Sequence, residues 1–416
     1  MEKNVGIYIH IPFCASKCAY CDFYSVAGAE SLMDRYCAAL VKNISEWESQ
    51  LDGYIIDTVY FGGGTPSYFG ADRLIRVLSA LKKYGKLLRS AEITFEANPD
   101  SVTPPELAKL RKAGFNRISL GVQCADDGLL KSLGRRHDFP RAEQAVSDAR
   151  RAGFTNLSID LIYGLPSQTR KDWADTLTRA AGLRPEHISC YGLKIEPGTP
   201  LYEFRDSPFI PDDDTQADMY LYTVDMLERL GYYQYEISNF AKPGFPSAHN
   251  LKYWLGKEYI GFGAAAHSFI GGQRYSITAN ASAYCDGIEN GGDIIENLET
   301  ITDFERAGEY LMLGLRTSQG VSEEGYRSIF RGGFDKIAEK LDYFTRHGFM
   351  LKTDGRWHFT PRGFLVSNTI IGDILDAHAE QRASASPPWQ ERAPEESGQL
   401  TLFSEQKSTA EWFRGM

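Results

Sequence analysis

The chain has 416 residues, 43% of them hydrophobic, and a formal net charge of −10. That length leaves room for two or three domains, and the apolar content excludes a largely disordered chain. The acidic balance argues against a general nucleic-acid binder, which needs clustered Lys and Arg to meet phosphate.

The opening "MEKNVGIYIHIPF" reads as a strand rather than a signal peptide, and no apolar run reaches the length of a membrane span. A cytoplasmic location without a membrane anchor is therefore expected, with any membrane contact made through a partner. "NVGIYIHI" is the first of six apolar segments. "DTVYFGGG", "AEITFEANP", "NRISLGVQ", "NLSIDLIYGLP" and "EHISCYGLKIEP" follow it, with helical patterns such as "ADRLIRVLSALKKYG" and "TRKDWADTLTRAAGL" in between. Thr103-Pro104-Pro105-Glu106 reads as a capping box with proline at the first helical position, and Gly114 should end that helix. Six strand–helix units over residues 1–215 predict a parallel sheet with right-handed crossovers, of a size for an open or partial (β/α)6 barrel. Its working face would be the carboxyl ends of the strands.

From 216 to 300 the pattern changes to a connecting region: an amphipathic helix, the aromatic "YYQYEISNFAKPGFPSAHNLKYW", and the small-residue loop "GFGAAAHS". Residues 301–376 predict a smaller α+β domain of helices followed by a wing-like hairpin that turns at Asp354-Gly355. Residues 377–416 are polar and proline-containing, and read as a flexible tail.

The unusual residues fall at strand ends. Gly62-Gly63-Gly64-Thr65, Glu96, Gln123 and Asp160 all lie at or just past a predicted carboxyl end, and Cys14, Cys18 and Cys21 follow the first strand. Three cysteines within eight positions suit three irons of a cubane iron–sulfur cluster. A cluster that only transfers electrons takes four, so three leave one iron open to a ligand. Zinc would want four ligands, and His10 is the nearby candidate for the fourth. Structural cysteines clustered by chance are the plainer alternative. For the other residues the plain alternatives are helix caps (Glu96, Asp160), a partner for a buried backbone group (Gln123) and an ordinary turn (Gly62 to Gly64). Cys190 and Cys285 read as small buried hydrophobes.

"CASKCAYC" followed by "GGGTP" resembles the radical S-adenosylmethionine (SAM) superfamily. "YFGGGTPS", "FEANP", "SLGVQ", "DLIYGLP" and "GFGAAAHS" follow in the order of its oxygen-independent coproporphyrinogen III oxidase group, over roughly residues 5 to 375. The resemblance implies a [4Fe-4S] cluster on Cys14, Cys18 and Cys21, with S-adenosyl-L-methionine on the open iron. It implies that Tyr8 and Tyr20 flank the pair, that Gly63, Gly64 and Thr65 hold the methionyl end, and that Glu96 takes its amino group. Arg135 would face the carboxylate, a role its neighbour Arg136 could also fill, while Gln123 and Asp160 would bind the ribose. His267 would line the same site.

Two departures qualify the match. The oxidase carries a fourth cysteine two places after the third, where this chain has Phe23, and a substantial segment before the cluster, where this chain has thirteen residues. Both point away from porphyrinogen decarboxylation and toward a sister group of heme chaperones, as does "HNLKYW" at 249–254. That group implies heme as a further ligand, with His249 as its candidate axial ligand. It also implies apo-hemoproteins or respiratory-chain components as acceptors and a role for the cluster in transfer, regulation or homodimer formation. The plainer view of His249 is a hydrogen-bonded residue beside aromatics. A nucleic-acid role for the wing ranks last, because "KTDGRWHF" is only mildly basic.

Overall fold

The structure is a computed structural model, and residues 2–384 are described. Six strands form in the predicted places: β1 (Lys3–Ile11), β2 (Tyr54–Gly63), β3 (Lys86–Ala97), β4 (Arg117–Gln123), β5 (Asn156–Tyr163) and β6 (His187–Gly192). They lie side by side in chain order, each parallel to the next. This is what consecutive right-handed strand–helix–strand units produce.

Alternation along the strands sorts the two faces. On β3, Phe95 packs edge-on to Phe115 and Phe154, on the helical side. Glu96, one residue on, points the other way to Tyr60 of β2. The helices supply the apolar backing. Ala71–Tyr84 buries Leu74, Val77, Leu78 and Leu81, and Arg170–Gly182 buries Trp173 and Leu177. Thr169 caps the latter in a full capping box with Asp172.

The expected capping box at Thr103 does not form. The Thr103 hydroxyl donates to the Glu106 carboxylate at 2.7 Å, and no backbone amide reaches it. Pro104 still opens the helix, and Gly114 ends it in the left-handed region at φ 115°.

The described residues divide into two compact units, 2–219 with 258–299, and 220–257 with 300–384. The stretch read from sequence as one connecting region is thus shared between them. In the first unit the sheet continues beyond β1 through Tyr259–Phe262, parallel to it, and then His267–Ile270, Gln273–Ile277 and Ile295–Thr300.

The second unit holds the hairpin Tyr233–Glu236 and Asn239–Ala241, the short helix Ala248–Trp254, and five helices between Asp303 and Ser384. Its wing is a three-stranded sheet in which Arg356–Phe359 lies between Val321–Ser322 and Met350–Thr353. Asp354 (φ 51°) and Gly355 (φ 75°) make the expected turn. Residues 377–384, assigned to a flexible tail from sequence, continue the final helix Ser367–Ser384, where His378 is buried; the rest of that stretch lies outside the described residues. No described helix is long and apolar enough to cross a membrane.

Candidate functional site

The cysteine loop is tied down at both ends. Phe13–Cys14 pairs with Val26–Ala27, the Ala19 amide donates to the Leu133 carbonyl, and the Leu201 amide donates to the Ala19 carbonyl. Tyr20 anchors its middle by packing on Cys124, Leu130, Leu133, Ile162 and Leu165. All seven cysteines are free. Cys14, Cys18 and Cys21 are partly exposed, whereas Cys37, Cys124, Cys190 and Cys285 are buried, the last two as expected of small hydrophobes. Burial pushes the Cys14 and Cys21 thiols up, against a hydrogen bond from Thr65 at the first and from the Phe23 amide at the second.

The glycine turn at the end of β2 is a mould for backbone. Gly63 sits at φ 112°, and a Cβ there would fall 2.6 Å from the His10 ring. At Gly64 a Cβ would meet the Pro12 carbonyl carbon at 2.8 Å. The next residue, Thr65, hydrogen-bonds the Phe13 carbonyl through its amide and Cys14 Sγ, 3.4 Å away, through its hydroxyl. The turn and the cysteine loop are therefore one construction.

Glu96 receives the Gly63 amide at 3.2 Å and the Tyr60 hydroxyl at 2.8 Å. Burial nevertheless pushes its carboxyl up to about 7. Tyr8 stacks on Tyr60 and reaches His10 Nδ1 at 3.1 Å; His10 is buried, and its second nitrogen bonds the Tyr24 carbonyl. A histidine occupied at both nitrogens makes a poor fourth metal ligand. His267 lies on the strand beside this group and is exposed.

Gln123 ends β4 in the left-handed region at φ 69°. Arg135 turns inward and Arg136 outward. Arg136 lies 3.5 Å from Asp100 with more than half its side chain exposed. Arg135 donates to Asn98 Oδ1 (2.7 Å), the Gly121 carbonyl (2.6 Å) and Cys18 Sγ (3.6 Å), while its buried Nε has no partner. Asp160 accepts from three serine hydroxyls, Ser189 (2.7 Å), Ser119 (2.8 Å) and Ser158 (3.2 Å). Neither Glu96 nor Asp160 caps a helix. Cys14, Cys18, Cys21 and Tyr20 thus belong to the cysteine loop, and Gly63, Gly64, Thr65, Glu96 and Gln123 lie at or next to strand ends, whereas Tyr8 and Asp160 lie three residues inside β1 and β5; Tyr60, Asn98 and the three serines join them unforeseen. Tyr60 was findable, since period two puts it on the same face as Gly62.

His249 belongs to the second unit. It is fully buried on helix Ala248–Trp254, which Ser247 caps, and its Nε2 lies 2.8 Å from the Tyr253 hydroxyl.

The donor set fits a cluster. Among the described residues no three His, Cys, Asp or Glu side chains gather as one ion would need. A four-iron cubane is held at its corners, so its thiolates stand further apart. A cleft of about 570 Å³, counting its open mouth, is lined by Cys18, Thr65, Asn98 and Arg135 among others. Arg135 and Arg136 line it beside Asp100, so two cations and one carboxylate border the cleft. When bound, the cluster and SAM supply one-electron chemistry. Of this chain's own residues, Cys14, Cys18 and Cys21 would hold the cluster, beside the backbone shaped at Gly63–Gly64 and the Glu96 carboxyl held toward that turn.

The Radical SAM superfamily profile matches residues 8–180. Among curated relatives, the heme chaperone HemW of Lactococcus lactis is 34% identical over 90% of this chain and 98% of its own length. HemW of Bacillus subtilis is 34% identical (88% and 98%), and that of Escherichia coli 33% (88% and 97%). The chain belongs to the HemW heme chaperone family. The fold agrees with that of the coproporphyrinogen III oxidase HemN of Escherichia coli, a radical SAM enzyme, with a TM-score of 0.79 at 24% identity over 91% of this chain and 90% of that one. HemW relatives are matched almost end to end, so both units described above fall within the HemW match.

Proposed function

We propose that this protein binds heme and delivers it to hemoproteins, and that it carries a [4Fe-4S] cluster on Cys14, Cys18 and Cys21 with SAM at the open iron. The observation that carries this is the near end-to-end match to HemW chaperones at about one residue in three. The site supports it. Glu96, which accepts the Gly63 amide, would take an amino group at that turn, and Arg135, whose Nε has no partner, would take a carboxylate. Asp160 retains acceptor capacity beside its three serines, and a carboxylate that accepts two ribose hydroxyls would exchange one of them. Tyr8, Tyr20, Thr65 and Gln123 complete the proposed surround. Apo-hemoproteins or respiratory-chain components are the proposed acceptors, and homodimer formation a proposed use of the cluster.

The experiment is to incubate the purified protein with hemin, denature it, and measure the heme that stays attached, with His249→Ala alongside. Saturable, near-stoichiometric retention is expected, with loss in the variant. Absence of saturable uptake by the wild type overturns the reading.

The shared fold favours one second reading, oxidative decarboxylation of coproporphyrinogen III. Phe23 speaks against it: the side chain is 70% exposed and offers no sulfur where the oxidase group has its fourth cysteine. Conversion of coproporphyrinogen III with SAM and a reductant would establish it.

A further inference from the structure

We infer that Arg135 tunes the reduction potential of the cluster through an N–H···S hydrogen bond to Cys18, a role separate from any contact with SAM; the inference rests on reading Cys18 as a cluster ligand. The guanidinium is held from three directions. Nη2 donates to Asn98 Oδ1 at 2.7 Å and to the Gly121 carbonyl at 2.6 Å, and Nη1 is then left 3.6 Å from Cys18 Sγ. Asn98 is itself fixed, since its amide donates to the Thr65 hydroxyl at 3.2 Å and that hydroxyl contacts Cys14 Sγ. One planar, permanently charged fork therefore bridges β4, the segment after β3, and a ligating thiolate.

The chemistry fixes the sign. Reduction adds an electron, hence negative charge, to the cluster. A donor and a positive charge at a ligand sulfur stabilise the reduced form more than the oxidised one, which raises the potential. Partial burial keeps this from being screened, as it would be at the surface. None of the other six cysteine sulfurs has an arginine donor within hydrogen-bond reach among the described contacts. Cys14 has a threonine hydroxyl and Cys21 a backbone amide, both neutral. Arg135 is therefore the strongest lever on the potential that this chain applies at a ligand sulfur.

The test is a potentiometric titration of the anaerobically reconstituted full chain, followed by electron paramagnetic resonance and without SAM, so that no cofactor contact contributes. In Arg135→Gln the reduced-to-oxidised ratio at the wild-type midpoint should fall about tenfold, a 59 mV negative shift for one electron. Arg135→Lys keeps charge but cannot reach all three acceptors, so its shift should have the same sign and be smaller. Asn98→Ala removes one of the two acceptors that hold Nη2, so the fork loosens from Cys18 Sγ and the midpoint should move the same way by a smaller amount, which keeps the test open if Arg135→Gln does not load. Unchanged midpoints in variants with wild-type iron and sulfide content overturn the inference. Absence of a cluster in the wild-type protein would instead overturn the reading of the three cysteines.

Discussion

His249 Nε2, fully buried, and the partly exposed Tyr253 hydroxyl, one helical turn apart, are 2.8 Å from each other. An axial role for His249 through Nε2 therefore requires this bond to break. Tyr253→Phe removes this partner and should tighten hemin binding by about fivefold, since a hydrogen bond of this kind contributes roughly 1 kcal/mol. His249→Ala should abolish it. Spectral titration distinguishes the cases: equal affinity in all three proteins would move the ligand elsewhere.

Glu96 gives the SAM site a pH dependence. With its carboxyl pushed up to about 7, it is protonated below that pH and cannot pair with an ammonium group. SAM binding should therefore tighten as pH rises toward 7 and level off above it, weakening about tenfold per unit on the acid side. Calorimetry across pH 5.5–8.5 reads this directly. Glu96→Gln should bind weakly at every pH, with the slope gone.

Glu236 makes a stability prediction in the second unit. It is fully buried, accepts from the Ser238 amide and the Asn239 side chain, and is pushed up to about 7 by burial. Its folded value lies above the unfolded 4.5, so the native state holds a proton the unfolded chain has released. Stability from this group is full below about 4.5 and declines as pH rises through 7, by about 3 kcal/mol at most. Glu236→Gln should remove that decline at little cost, because the Asn239 amide can turn over and offer its Oδ1, which has no partner in the wild type. Denaturant midpoints at pH 5 and pH 8 should show the variant gaining on the wild type at the higher pH.

Gly63→Ala should displace the glycine turn. The new methyl would sit 2.6 Å from a histidine ring held at both nitrogens, on a backbone at φ 112° that L-residues rarely adopt. A loss of 2 kcal/mol or more in stability is expected, roughly the sum of strain and overpacking, together with at least tenfold weaker SAM binding. Wild-type melting and affinity would show that the turn yields more easily than its contacts suggest.

Cys14→Ala, Cys18→Ala and Cys21→Ala should each lose the absorbance of a four-iron cluster after anaerobic reconstitution. Cys37→Ala should keep it, since Cys37 is buried on a helix away from the loop. A stable cluster in any of the first three would withdraw that residue as a ligand.

The barrel was legible because each strand is a short apolar run set between amphipathic helices, two periods that differ sharply. The strands Tyr259–Phe262 and His267–Ile270 were not. Four residues with small neighbours carry too little pattern, and their place beside β1 is a tertiary fact. Thr103 misled because a capping box and a direct hydroxyl-to-carboxylate bond share one sequence signature. The positions of Glu96 and Gln123 could be read from strand ends, whereas Asp160, expected at one, lies three residues inside β5. What surrounds them could not: Ser119, Ser158 and Ser189 meet only through strand register, and Asn98 reaches Arg135 across 37 positions. The fully buried setting of His249 is equally invisible, since "HNLKYW" reads the same on a surface helix.

The serines around Asp160 have a consequence for assembly. Ser119 pairs with Ser158 across β4 and β5, and Asp160 pairs with Ser189 across β5 and β6. A slip of one residue in β4 or β6 would turn that strand's serine to the helical face and strip the carboxylate of a donor. A slip between β2 and β3 would likewise cost Glu96 its Tyr60 hydroxyl, but Asp160 depends on three strands at once. Here the error would fall on a single charge, so Asp160 acts as an alignment gauge that penalises wrong zippering before any cofactor arrives.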